Sequence, residues 1–173
     1  MTQLRTNRKF WEKTAYMGLF LALAMICSYV EALLPFSFGI PGIKLGLTNS
    51  VVILALYCVG PVEAFGISVL RILLSGLLFG NLFSVLYSLG GGILSFFVMF
   101  FLKKKTSLSC FSISCAGGIA HNIGQLIIAA LFVQNLAVYY YLPVLLVAGA
   151  ITGILIGLLA QEIIKRIGSL IHF

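Results

Sequence analysis

The sequence predicts an all-α integral membrane protein, a bundle of six transmembrane helices with N- and C-termini cytoplasmic. Three observations predict it. Hydrophobic residues make up 61% of the chain and charged ones 9%, with a mean hydropathy of +1.16. A soluble domain carries about a quarter of its residues as charges. The apolar residues fall into six runs, close to the roughly 17–25 residues that cross a bilayer. The basic residues cluster at alternate ends of those runs. A fold in water could not cover this much apolar surface, so the expectation is one membrane domain over residues 1–173.

The first run, residues 15–34, follows Arg5, Arg8, Lys9 and Lys13 and ends at Pro35. It lacks a small-residue cleavage site and is long enough to span, so it reads as a retained helix. A loop rich in Gly, Pro and Phe follows, running into Pro41-Gly42-Ile43-Lys44-Leu45-Gly46-Leu47-Thr48-Asn49-Ser50. The second run, residues 45–59, stops at Gly60-Pro61. The third covers residues 62–79. The fourth, 82–102, closes on Lys103-Lys104-Lys105. The fifth is 111–133, and the sixth, 140–164, ends at Lys165-Arg166.

Six spans return the chain to the side on which it began. The basic N-terminus, the lysine triplet and Lys165-Arg166 then fall on one face, as cytoplasmic segments do. Lys44, in the opposite loop, is the exception. Tyr139, Tyr140 and Tyr141 open the sixth span at the outer boundary, and Trp11 lies at the inner one, where amphipathic rings anchor. Gly149, Gly153 and Gly157 repeat every four residues, a face for close helix approach, and Gly76 and Gly80 do likewise. Ala15, Gly18 and Ala22 mark the first span as the candidate contact for a partner helix. Gly90-Gly91-Gly92 predicts a weakened or bent fourth helix.

Ionisable groups at membrane depth are costly and point to function. Arg71 lies mid-span in the third run, Glu31 near the outer end of the first, and Lys44 at the entry to the second. Two readings stand. An ion pair of Glu31 with Arg71 or Lys44 fixes packing; alternatively, surplus positive charge awaits an anionic ligand. Glu63 follows Pro61 at a helix start, where a carboxylate suits the helix dipole. His121 and Gln125 share a helix face with Asn122 beside them, three hydrogen-bonding groups that need partners inside the bundle. Asn49, with Thr48, and Asn81 complete a candidate substrate-binding set with Lys44, Arg71, His121, Asn122 and Gln125.

Other chemistry is excluded. No phosphate-binding Gly-x(4)-Gly-Lys-Ser/Thr loop is present. The chain has no Asp, and its only acids are Glu12, Glu31, Glu63 and Glu162. An acid-rich Mg²⁺ site for diphosphate chemistry is therefore a poor fit. Cys27, Cys58, Cys110 and Cys115 form no Cys-x-x-Cys pair and read as reduced, buried thiols. No catalytic or metal site and no bound cofactor is expected. Nor is a nucleic-acid partner, since basic stretches with interleaved aromatics are absent.

Residues 41–49 (Pro-Gly-Ile-Lys-Leu-Gly-Leu-Thr-Asn), 59–64 (Val-Gly-Pro-Val-Glu-Ala), Arg71 with 77–81 (Leu-Leu-Phe-Gly-Asn), and 120–125 (Ala-His-Asn-Ile-Gly-Gln) carry a resemblance. In order and over nearly the whole chain, they resemble the bacterial Gx transporter family, also labelled heptaprenyl diphosphate synthase component I. The six-span plan is similar to the substrate-binding S components of energy-coupling factor (ECF) importers. That resemblance implies capture of a small, anionic, vitamin- or cofactor-precursor-like molecule in the bacterial cytoplasmic membrane. It also implies a transmembrane coupling subunit meeting the first helix, and two ATPases that use ATP in trans. The synthase label implies instead a non-catalytic membrane partner of a prenyl synthase in isoprenoid-quinone biosynthesis. Either way, membrane lipids surround the chain.

Overall fold

The computed structural model describes residues 2–33 and 46–167. Of these, 92% are helical, and no strand occurs among them. The helices are α1 (Thr2–Leu33), α2 (Leu47–Cys58), α3 (Pro61–Phe79), α4 (Leu82–Lys105), α5 (Cys110–Val133) and α6 (Leu142–Ile167). A 3-10 helix, Leu136–Tyr141, leads into α6. Five stretches are long and apolar enough to cross a membrane: Phe10–Leu33, Pro61–Phe79, Leu82–Lys105, Cys110–Val133 and Leu136–Arg166. The chain is a multi-pass membrane protein by this measure.

The second expected span is the departure. Helix α2 has 12 residues, about 18 Å at 1.5 Å per residue, short of the roughly 30 Å hydrocarbon core. Hydropathy does not separate a lipid-facing run from one enclosed by protein. Here the run is enclosed: Val51, Val52, Ile53, Leu54, Ala55 and Leu56 are all buried, among α1, α3 and α6. Polar groups from neighbouring helices serve both of its ends. The Glu31 carboxylate accepts from the Leu47 amide (2.8 Å) at the start. Lys103 Nζ donates to the Leu56 carbonyl (2.6 Å) at the finish, with its ammonium 4.3 Å from the centre of the Tyr57 ring. A helix capped by other helices need not reach either membrane surface.

Helix α1 starts well before the apolar run that marks it, because nothing between the basic residues and Met17 breaks a helix. Its lower part is tied to the first turn of α3 by Lys13 and Glu63, 2.6 Å apart. That α3 turn has the Pro and carboxylate expected of a helix start. The link between α2 and α3 needs Gly60, whose φ of +142° is open to glycine and strained for other residues. Asn81 starts α4 through a reciprocal capping box with Ser84.

These short links reverse direction at each step. Lys13, the lysine triplet of α4, and Lys165 and Arg166 of α6 therefore gather at one end of the bundle. Glu31, Asn81 and the tyrosines lie at the other. Tyr140 is 87% exposed and Trp11 65%, as boundary anchors are.

The glycines of α6 form the expected seam with α5. A Cβ on Gly149 would sit 2.7 Å from the Gly118 carbonyl, and one on Gly157 2.5 Å from the Phe111 Cα. Helix α4 runs unbroken through Gly90-Gly91-Gly92, against expectation. These glycines are contact surface: Gly90 and Gly91 admit α5 at Gly124, His121 and Gln125, while Gly92 admits Ile72 of α3. Close helix packing offsets the conformational cost of glycine there. Phe65 of α3 packs on Phe96 of α4, with ring centres 5.1 Å apart. Cys27, Cys58, Cys110 and Cys115 are free thiols; Cys110 is buried and the other three are half-buried.

Candidate functional site

Hydroxyls, amides and one guanidinium converge on a cavity of about 330 Å³ between the helices. Ala32, Phe79, Gly80 and Asn81, all exposed, line it at the end away from the lysines. Ser95, Met99, Ser114 and Ile156, all buried, line its deep part. Six of the seven candidate substrate-binding residues lie on its wall: Asn49, Arg71, Asn81, His121, Asn122 and Gln125. Lys44 lies outside the described residues, as do residues 41–43 and Leu45.

Arg71 is the centre of the site. It comes from the middle of α3, is 7% exposed, and has its Nε buried with no hydrogen-bond partner. The ion pairs among the described residues are Lys13–Glu63 and Glu162–Arg166; Arg71 is in neither. The possible Glu31–Arg71 packing pair is therefore not formed. Gln125, at 2% exposure, has its Nε2 without a partner, and so does the Ser95 hydroxyl. Buried polar groups in folded proteins are nearly always paired. Three unpaired groups around one cavity mark a place prepared for something else to bind.

Glu31 has a different role from the one its charge suggests. Its Oε1 accepts from the Leu47 amide, and its Oε2 accepts from the Thr48 hydroxyl at 2.7 Å. Ser28 lies 3.3 Å from the same hydroxyl. The α2 start, whose backbone amides could otherwise face an anion, is thus already occupied by a carboxylate of the chain. A ligand anion has to look to Arg71.

The amide residues divide by role. Asn122 Nδ2 donates to the Leu145 carbonyl at 2.6 Å, which ties α5 to the start of α6 and leaves its Oδ1 as acceptor. Asn81 Oδ1 accepts from the Ser84 amide, so this residue shapes the rim as a helix cap. Asn49 stands half-buried in the first turn of α2. His121 lines the wall where α5 meets Gly91 of α4.

Sequence reasoning missed the hydroxyls. Ser84, Ser88 and Ser95 line the cavity from α4. Spaced by four and seven, they share one helix face, a stripe legible in the sequence as small polar residues at helical period. Thr152 of α6 also lines it, but its hydroxyl is spent on the Ala148 carbonyl (2.9 Å) of its own helix.

Among the described residues, no group of three or more His, Cys, Asp or Glu is placed to hold a metal ion. The cavity offers unpaired hydrogen-bond donors on its wall, a geometry that suits binding. Ala15, Gly18 and Ala22 do not contribute; all three are exposed on the outside of α1.

The family model described as heptaprenyl diphosphate synthase component I matches residues 20–163. The chain belongs to that family. The match starts inside α1 and runs to the last turns of α6, so it takes in every cavity residue named above. No curated protein and no solved structure matches the chain. The family's name connects the chain with a prenyl diphosphate synthase, and a numbered component implies a catalytic partner.

Proposed function

We propose that the chain is the membrane-embedded substrate-binding component of an ECF-type importer, holding a small anionic vitamin- or cofactor-precursor-like molecule in the cavity. Arg71 is the observation that carries this reading: a buried cation with no direct ion pair and an unpartnered Nε on the wall of a ligand-sized space. Holding an unpaired charge away from water costs several kcal/mol, by order of magnitude. An arriving anion recovers that cost, which makes binding strong where the apo state is weakened. The volume of about 330 Å³ falls in the range of small-molecule pockets, roughly 300–1,000 Å³.

The remaining parts of the proposal follow from this role. The chain forms one domain of six spans in the bacterial cytoplasmic membrane, α2 being the short one, with the lysine-rich end and both termini cytoplasmic. The cavity then opens outward. It binds no cofactor of its own and catalyses nothing. A transmembrane coupling subunit meets the exposed Ala15, Gly18 and Ala22 face, and two ATPases use ATP in trans. Lys44 joins Arg71 in attracting the anion.

The family match favours a second reading, a non-catalytic membrane component of a heptaprenyl diphosphate synthase system. The basic end would then dock a soluble catalytic component at the bilayer where its product partitions. The cavity does not support a role in holding a polyprenyl tail, because an apolar chain would leave Arg71, Gln125 and Ser95 unpaired.

Purification in mild detergent from the native membrane, with mass spectrometry of the proteins retained, separates the two. Recovery with a membrane subunit and ATPases is expected. Recovery with a prenyl synthase and no ATPases would favour the second reading.

A further inference from the structure

The charges on the cavity wall restrict the class of molecule that fits, given that the cavity binds a small molecule as proposed above. Among the described residues, it is lined by one Arg, one Glu and no Lys. Arg71 and Glu31 form no direct ion pair, so a ligand group can reach each of them. Arg71 shares the deep region with Gln125 and Ser95: Gly91 of α4 touches Gln125, Gly92 touches Ile72 next to Arg71, and Ser95 follows one turn later. The unsatisfied atoms there include two N–H groups, Arg71 Nε and Gln125 Nε2, and a hydroxyl. That is a donor set for an acceptor-only group, and a planar guanidinium edge matches a carboxylate.

Glu31 lies toward the open end. Each carboxylate oxygen takes one bond from α2 and can accept another. Its charge therefore favours a cationic or N–H group on the part of the ligand nearest the mouth. A phosphate monoester carries about −1.5 to −2 charges at neutral pH, and a diphosphate more. Among the described residues, one guanidinium with a carboxylate in the same cavity does not balance such a group.

We propose that the cavity takes a small molecule bearing one carboxylate and one amine or other N–H donor. The carboxylate lies on Arg71, Gln125 and Ser95, and the donor end faces Glu31. Such a ligand is zwitterionic with a fixed polarity in the site, unlike the diphosphate that the family's name suggests.

The test uses the full chain in lipid nanodiscs, with small molecules released by denaturation and identified by mass spectrometry. The expected retained species has one carboxylate, one basic or N–H nitrogen and no phosphorus. Ser95→Ala, a small change unlikely to disturb folding, should lower its retention about tenfold, the scale of one charge-assisted hydrogen bond. Glu31→Gln, which keeps the bond to the α2 amide but not the charge, should also lower it. Melting curves without ligand identify any variant that has merely unfolded. Inorganic diphosphate and inorganic phosphate at millimolar concentration should leave the melting temperature unchanged.

A retained phosphorylated species, or stabilisation by inorganic diphosphate that Arg71→Gln removes, would overturn the inference while leaving the capture reading intact. A retained species without nitrogen, or retention indifferent to both Ser95→Ala and Glu31→Gln, would overturn it as well. An empty wild-type cavity would overturn the capture reading and this inference with it.

Discussion

Arg71 presents a stability argument that runs opposite to the usual one for a buried residue. Removing a packed side chain ordinarily destabilises, but this one holds an unpaired charge at membrane depth. Replacing a buried ionic group by an apolar residue of similar volume is often stabilising, by about 1–4 kcal/mol. Arg71→Met should therefore raise the melting temperature of the ligand-free protein and abolish retention of small molecules. A fall in stability without ligand would mean that Arg71 has a structural partner after all. The sequence made Arg71, His121, Asn122 and Gln125 legible, because polar groups in long apolar runs stand out. It did not show which of them are already satisfied. Asn122 is spent on Leu145, and Asn81 on its own helix start, through contacts between residues distant in sequence or folded back locally. The role of Glu31 was hidden for the same reason: its partner is the end of another helix.

At the scale of the elements, glycines decide which helices come close, and the structure separates glycines of two kinds. A Cβ on Gly118 would collide with the Gly149 carbonyl, and the Gly153 Cα would be 3.2 Å away. A Cβ on Gly18 would meet nothing within 4 Å. Gly118→Ala should force α5 and α6 apart and cost about 1–3 kcal/mol, as overpacking does, measured by denaturant unfolding in detergent. Gly18→Ala should leave the isolated chain unchanged or slightly more stable, since alanine is the better helix former by about 1 kcal/mol. Equal effects of the two substitutions would remove the distinction between an internal seam and an outward face. If Gly18→Ala spares the fold yet reduces recovery of a membrane partner, the α1 face is where that partner sits. The spacing of small residues was readable in the sequence for α3, α6 and α1 alike. Which seams face inward was not, because periodicity fixes a face and leaves its neighbour undetermined.

Among the described residues, Lys13, the lysine triplet of α4, Lys165 and Arg166 lie at one end, and this asymmetry underlies the proposed orientation. Runs and breakers located α3, α4 and α5 to within a few residues, and α6 once its 3-10 lead-in is counted. Helix α1 starts earlier than its apolar run, and α2 falls short of a span, since a run wrapped by protein has the hydropathy of a span without the length of one. Its burial leaves the direction count unaltered: α2 still carries the chain from the Glu31 end to the Lys103 end. On the proposed six passes, Lys13, Lys104 and Arg166 share one side, which the positive-inside rule would make cytoplasmic. A cysteine-free variant with a single cysteine at Lys104 should thus be labelled by a membrane-impermeant maleimide only after cells are opened. One at Asn135, beside the exposed tyrosines, should be labelled on intact cells. The reverse pattern would turn the cavity mouth toward the cytoplasm and make capture from outside impossible. Labelling of both sites from the same side would show that α5, the helix between them, does not carry the chain across.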